Sequence, residues 1–503
     1  MSSEDNLLSE NNSRRSFIKK VTLGGVAASL ANGSGQIHAA GSAKLRSSSE
    51  GETFRLQRDI PVNRNYEVIV AGGGPAGVAA AVSAARLGAK VILFEGTGCL
   101  GGMGSSGLVS AFDPMANGKE QLVRGFMGEV VELMHEEGYM NVQPGYWRTR
   151  YHAWSKFNPE GYKLILDRMV VNANVTTQFY TKVIEAEVDS AGQVVKGVVT
   201  SNVEGMTYYQ ANTFIDCTGD AVLADLCGAD CWEAGRDTEK IMPPTMPTLW
   251  SGELNLTRGE VRKLYERCVR EGKHRHPSYK FVGLSEVDDG LFYLNGGHLF
   301  DMNALKIDSV SEGAMRGRII AEDFRRMFEE HPEIKLTLAA TSSLIGVRES
   351  RRIKGEYVFN ENDMKERRLF ADTVGVYCKA CDIHPYAFTK EAMKDHYEMY
   401  YRNEEMRPGR GEMFAIPYGA LVPKGWKNLW TAGRCASADI FGQGSLRCQP
   451  YCSQMGQAAG TAAVQTLERG ETADNLNTEQ LVKTLRQQNV YLPQEKLSPE
   501  MTR

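Results

Sequence analysis

The apolar positions of the chain begin with a run over residues 66–71 that ends in glycines, continue as an Ala-rich stretch over 76–87, and return as an apolar run over 90–94. By period and length this reads as strand, helix and strand within about 30 residues. Residues 183–188 and 194–203 read as paired strands joined by a turn at 189–193. A further short strand is predicted over 214–216, ahead of a glycine turn, and a buried one over 428–432, closed by Gly433. An Ala- and Gly-rich helix is predicted over 451–464, with Pro450 suited to its first position. From about 231 to 410 the texture changes: aromatics and charged faces appear, and helices are predicted over 256–272 and 312–330. Leu481, Val482 and Leu485 lie at helical spacing behind an N-cap at Thr478, predicting a surface helix over 478–489.

These elements compose an α/β chain. A Rossmann-like dinucleotide-binding domain, discontinuous in sequence, carries an inserted α+β substrate or cap domain. The expected boundaries are 65–230 for the first part of the binding domain, 231–410 for the insert, 411–470 for the second part, and 471–503 for a C-terminal helix and tail. With 503 residues the chain has ample core for both.

The glycines give this pattern a chemical meaning. Gly72-x-Gly74-x-x-Gly77 follows a strand and opens a helix, the context in which such spacing points to a dinucleotide. Gly72 permits the tight turn, Gly74 lets backbone approach a pyrophosphate, and Gly77 lets the helix pack on the strand. Pro75 and Ala76 start the helix, whose N-terminus offers unpaired N–H groups and partial positive charge to phosphates. Glu95, ending the second strand, is placed to accept hydrogen bonds from a ribose diol; an acid there disfavours a 2′-phosphate and so NADP. A second glycine loop follows, Gly98-Cys99-Leu100-Gly101-Gly102-Met103-Gly104. A long cofactor passing close to the backbone requires such residues, which favours FAD over NAD.

That second loop resembles the signature of the flavoprotein group that includes glutathione reductase and the flavoprotein component of fumarate reductase. Segments 214–220, 346–357, 416–424, 428–434 and 444–450 extend the match. Over most of residues 64–492 the chain resembles FAD-dependent oxidoreductases allied to the flavoprotein component of heterodisulfide reductase. The resemblance implies bound FAD, held by Gly72, Gly74, Pro75, Ala76, Gly77, Glu95, Gly101, Gly102, Met103, Val183, Gly219, Asp220, Gly433, Arg434 and Arg447. It also implies that the helix after Pro450 aims its N-terminus at the flavin ring, where its dipole stabilises the charge that reduction creates. It is specific for the cofactor and weak for the substrate.

Composition adds an address. With 58 Lys and Arg against 62 Asp and Glu, the net charge is −4, which gives no general attraction to nucleic acid or anionic lipid. Ser13-Arg14-Arg15-Ser16-Phe17-Ile18-Lys19-Lys20, a short apolar stretch over 21–31 and small residues around His38-Ala39-Ala40-Gly41 read as a twin-arginine export signal over 1–40, followed by a polar linker over 41–64. The apolar stretch is too short and Gly-rich for a membrane anchor. The twin-arginine translocase exports folded proteins, which suits a chain that must load FAD first, so a periplasmic or secreted location is expected. The ten cysteines contain no C-x2-C-x2-C run, so their spacing does not support an iron–sulfur cluster; a disulfide or buried thiols account for them. His274-Arg275-His276 lacks a nearby acid or Cys to complete a metal set and reads as a solvated loop, so no metal is expected.

Hydride transfer to flavin N5 needs a group for the accompanying proton. His384, in Asp382-Ile383-His384-Pro385-Tyr386, and His298, in Asn295-Gly296-Gly297-His298, are the candidates, with Tyr386 and Tyr418 behind them. Arg348 and Arg351 are candidates for orienting a carboxylate or an anionic flavin; a structural network of Arg348, Arg351 and Arg352 with Glu349 and Glu356 is the other reading. The expected function is that of an exported FAD-dependent dehydrogenase or oxidase of a small polar organic substrate, a sugar or other CH–OH compound, with electrons passed to quinone, a partner protein or oxygen. Reduction of an activated C=C bond, or electron transfer for a partner without a small substrate, are the alternatives.

Overall fold

The structure, a computed structural model, describes residues 54–189, 191, 193–278, 283–401 and 403–493. The twin-arginine segment, and Ser190 and Gly192 of the expected turn, lie outside them. Residues 54–59 are exposed, without regular structure, and belong to a separate unit from the chain that begins at Ile60.

Five strands, β1 (Val68–Ala71), β2 (Val91–Phe94), β3 (Thr176–Gln178), β4 (Thr213–Asp216) and β5 (Leu429–Thr431), form an all-parallel sheet in the order 5-4-1-2-3. β1, β2, β4 and β5 are buried at every position, as strands covered on both faces must be, and this is why they read as unbroken apolar runs. Helix α1 (Pro75–Arg86) crosses from β1 to β2, and α2 (Gln449–Arg469) follows β5. Pro450 stands second in α2, with Cys448 as its N-cap. The two helices approach closely: a Cβ on Gly456 would lie 1.9 Å from the Ala76 carbonyl oxygen, and one on Gly460 2.2 Å from that of Ala80.

From β3 to β4 the chain forms an antiparallel meander, Lys182–Asp189, Val194–Asn202 and Gly205–Gln210, to which Val62–Asn63 adds in parallel. Between β4 and β5 lies a four-stranded antiparallel sheet, ordered Leu284–Asp288, Leu291–Leu294, Thr248–Leu254, Ile334–Thr341. Helices Arg258–Arg270 and Ile307–Glu329 share a core with it built on Trp250, Leu264, Phe324 and Phe328. Thr257 and Glu260 cap the first of these helices reciprocally, which sets its start. Phe359, Val374, Tyr377 and Met406 join the core that contains α1 and α2.

The C-terminal helix is Thr478–Gln487 and buries Leu481, Val482 and Leu485 as its spacing requires. Its N-cap is Asn477, not Thr478, because the Asn477 side-chain oxygen accepts the Gln480 N–H at 3.1 Å. Among the described residues no helix is long and apolar enough to cross a membrane.

Candidate active site

β1 ends in Gly72, whose φ of +96° turns the chain into α1; a Cβ there would lie 2.6 Å from the Cys217 carbonyl oxygen at the end of β4. Gly77 packs closer still, its would-be Cβ 1.7 Å from the Gly72 oxygen. Gly74 differs from both. It caps α1 in an extended conformation, Pro75 and Ala76 follow it, and a Cβ on it would meet no atom within 4 Å. The space over the helix N-terminus is therefore open at the point where first-turn N–H groups face an anion.

Glu95 is buried beside this turn: one carboxylate oxygen accepts the Gly73 N–H at 2.7 Å and the other the Thr97 N–H at 2.6 Å. Each oxygen keeps a lone pair for a further donor such as a ribose hydroxyl. The second loop rests on the first. The Gly101 N–H donates to the Gly73 carbonyl at 2.9 Å, a Cβ on Gly102 would stand 3.1 Å from the Gly74 Cα, and the Met103 carbonyl, in the same tight turn, accepts the Val109 N–H at 2.8 Å. A Cβ on Gly433 would lie 3.3 Å from that of Ala76, which brings the end of β5 to the same place. Val183 shares a core with Ala71 and Phe94. Ser342 Oγ, Gln443 Oε1 and Gln449 Oε1 are buried with no hydrogen-bond partner among the described residues. An open gap at a helix N-terminus, a fixed carboxylate and orphaned buried oxygens fit a dinucleotide such as FAD.

Gly219 leads into Asp220, whose carboxylate accepts from Ser350 Oγ at 2.6 Å and from Arg434 Nη2 at 2.7 Å. Arg351 is engaged by Glu233 at 3.1 Å, Asp225 at 3.6 Å and the Asp220 carbonyl at 3.3 Å. Arg352 pairs with buried Glu349 at 3.0 Å, and Arg348 donates to the Pro243 carbonyl at 2.7 Å. The acids that engage Arg351 and Arg352 are thus Glu233, Asp225 and Glu349, whereas Glu356 accepts the Gly425 N–H.

The two candidate histidines touch. His298 Nε2 lies 3.0 Å from His384 Nδ1; His298 Nδ1 is bonded to Ser278 Oγ, and His384 Nε2 lies 3.6 Å from Asp382 Oδ1. Arg447 ties this chain to the segment before α2, donating to the Asp382 carbonyl at 2.7 Å and its carboxylate at 3.1 Å. Burial alone would raise the Asp382 carboxyl, but Lys379, His384 and Arg447 hold it well below the usual carboxylate range. Burial and then the Arg348 charge pull His384 down to about 3, against the opposing Asp382.

A neutral buried imidazole has a consequence for stability. Its contribution is complete above the unfolded value near 6.5 and is lost progressively as pH falls toward 3. Between those limits this group should cost about 1.4 kcal/mol of stability per pH unit of acidification. Urea unfolding of wild type and His384→Asn at two pH values between 4 and 6 checks it; equal slopes in the two proteins would refute the assignment.

Tyr418 is committed elsewhere, its hydroxyl donating to the Ala473 carbonyl at 2.8 Å and accepting from Trp430 Nε1 at 2.9 Å. Tyr386 lies beneath Lys240 Nζ, 4.7 Å from its ring centre. The expected solvated loop at His274 is corrected: His274 is buried edge-on to Tyr265 and Phe324 because Asp323 holds the neighbouring Arg275. All ten cysteines are free thiols, nine of them buried. Sequence reasoning singled out neither Lys379, which lies 4.0 Å from Asp382, nor Asp113 and Trp154, which adjoin Lys379; a lysine between Cys378 and Cys381, directly after an apolar run, was the one available signal.

Solved structures that align with the chain include a geranylgeranyl bacteriochlorophyll reductase-like protein from Thermoplasma acidophilum (10% identity, 86% of this chain and 84% of that one, TM-score 0.45). The p-nitrophenol 4-monooxygenase of Pseudomonas putida DLL-E4 aligns at 12% identity over 85% and 82% of the two chains (TM-score 0.42), and the flavin-dependent brominase Bmp2 at 13% over 84% and 83% (TM-score 0.41). Likeness of this degree says nothing of substrate. No curated protein matches the chain in sequence. Residues 67–485, which span both glycine loops, the histidine pair and α2, match the family described as FAD dependent oxidoreductase. The chain accordingly belongs to the FAD-dependent oxidoreductase family and is a flavin enzyme with FAD as its cofactor.

Proposed function

We propose that the protein is an exported FAD-dependent oxidoreductase that moves a hydride between a CH–OH carbon of a small polar molecule and flavin N5, with His384 and His298 handling the proton. The 3.0 Å contact between these two histidines, continued to Asp382, carries the reading. FAD, when bound, supplies the hydride acceptor. The residues of the chain manage the proton. As the C–H bond breaks and the carbonyl forms, the O–H proton enters at the His384–Asp382 pair and is shared with His298; the hydride would be taken by the bound flavin, and its two electrons would pass from there to a quinone, a partner protein or oxygen. The Asp382 side chain is 32% exposed.

Anaerobic rapid mixing of the FAD-loaded protein with an alcohol library tests the reading, the expected result being bleaching of the flavin by at least one alcohol. Reoxidation of the reduced protein by enoates, with no bleaching by any alcohol, would replace it with C=C reduction. Segments 346–357 and 416–424 support closer kinship with heterodisulfide reductase flavoproteins within the family.

Export rests on Arg14-Arg15 before Phe17 and a weak apolar stretch. Replacing both arginines with Lys should leave a folded, FAD-loaded precursor in the cytoplasm, because charge is kept while the arginine pair is lost. Cell fractionation reads the outcome, and normal export of the double variant would sink the proposal.

A further inference from the structure

Residues 138–159 contain no Asp or Glu, yet hold Arg148, Arg150 and Lys156 interleaved with Tyr146, Trp147, Tyr151 and Trp154. Part of this stretch lies open, with Tyr151 36% exposed and Trp154 44%. The rings of Tyr151 and His152 stand 4.1 Å apart. A Cβ on Gly118 would lie 3.0 Å from both Tyr151 and Arg410, and one on Gly411 2.8 Å from Lys119, so Arg410 and Lys119 flank the aromatics. Both cations are exposed. Arg410 donates to the Gly118 carbonyl at 3.1 Å, and neither it nor Lys119 has an acid partner among the described residues. The acids close by are already neutralised: Glu120 pairs with Arg124 at 3.3 Å, and Glu412 with Arg367 at 2.9 Å. Lys379 and Arg407 add their charge beside His152, whose imidazole is pulled below its ordinary value by burial and then by these two cations.

This face is joined to the histidine pair by a series of contacts. Trp154 Nε1 donates to Asp113 at 3.2 Å, Lys379 lies 3.8 Å from Asp113 and 4.0 Å from Asp382, and Asp382 lies 3.6 Å from His384. From these positions we infer that Lys119, Arg410, Tyr151, His152 and Trp154 form the docking surface for an acidic redox protein that takes electrons from the reduced flavin. The inference rests on the proposed function and names its electron acceptor. Charge selects the partner: a chain of net charge −4 gathers cations without acid partners here, so an acidic protein is steered to this face and a basic one turned away. Tyr, Trp and Arg are also the side chains that anchor protein interfaces, and a patch of this kind suits the small, transient contact of electron transfer. A bilayer fits less well, because the Trp154 indole N–H turns inward to Asp113 and its ring stands 5.1 Å from the Lys379 ammonium, a charge that hydrocarbon would bury. As the flavin is oxidised, two one-electron acceptors are reduced in successive encounters and two protons pass to water.

Photoreduction of the FAD-loaded protein supplies reduced flavin without any alcohol. Stopped-flow mixing with an oxidised acidic cupredoxin, an acidic cytochrome c and a basic cytochrome c then reads the transfer. At least one acidic acceptor is expected to oxidise the flavin faster than the basic one does, and to slow about 10-fold or more when ionic strength is raised to about 0.5 M. Lys119→Glu combined with Arg410→Glu should slow the acidic acceptor about 10-fold or more and speed the basic one. Lys119→Glu alone, at an exposed position, should shift both rates in the same directions by less. Trp154→Ala should weaken binding of the oxidised protein to the immobilised acidic acceptor, with FAD content unchanged. The inference is overturned if neither acidic protein outpaces the basic one, or if the double charge reversal leaves the rates unchanged. It is overturned too if phosphatidylglycerol vesicles bind the wild type and release the double variant, which would make the face a membrane surface. Oxidation that depends on Lys119 and Arg410 upholds the surface even where no alcohol bleaches the flavin, a result that would count against the proposed hydride transfer alone.

Discussion

Flavin reduction by the true substrate should slow about 100-fold or more when His384 is replaced by asparagine, with FAD content unchanged. Asparagine keeps a polar side chain where the imidazole stood and can still bond to His298, but it has no nitrogen that takes up a proton. Burial and Arg348 depress the free imidazole, so its competence as a base depends on Asp382, which favours the protonated ring. His298→Asn should cost less, because it removes the partner that shares the proton and not the group that first receives it. Stopped-flow reduction with FAD content measured in parallel distinguishes this from a structural role, in which rate, cofactor and stability would decline together. Wild-type rates in both variants would move attention to Tyr386, since the Tyr418 hydroxyl is already bonded to Ala473 and Trp430.

The βαβ unit was legible from residues 66–95 because its information is local: glycine spacing, an apolar run and a terminal acid all fall within one supersecondary unit. His384 and His298 were legible as candidates but not as a pair, because their contact joins residues 86 apart in sequence. Lys379 was hidden by its type, since a lysine ordinarily marks the surface. Asp113 gave no signal in its local sequence, and only the fold brings it to Lys379. Asn477 and Thr478 are adjacent residues that both cap well, so the choice between them is made by backbone geometry and not by composition. His274 misled because no neighbouring acid or Cys completed a metal set and the segment read as solvated, whereas Asp323, distant in sequence, holds Arg275 and leaves the imidazole to the aromatic core.

Gly74→Val should abolish FAD retention while leaving a folded protein. The would-be Cβ at this position meets nothing in the protein within 4 Å, so the branched side chain strains no internal contact and instead fills the opening over the α1 N-terminus. A colourless protein with a wild-type urea midpoint is the expected outcome, and full flavin content after purification would refute the placement of the phosphates. The neighbouring glycines make the contrast. A side chain at Gly77 would collide with the Gly72 carbonyl, so loss of cofactor there would accompany loss of the fold.

The order 5-4-1-2-3 also has a meaning in time. β4 ends at Asp216 and β5 begins at Leu429, and α2, which packs directly on Ala76 and Ala80, comes later still. During synthesis the glycine turn and Glu95 leave the ribosome long before the strand and helix that enclose them, and closing so long an interval is slow. The turn after β1 is thus enclosed only once translation has run past α2, and a cradle built on it is complete only then.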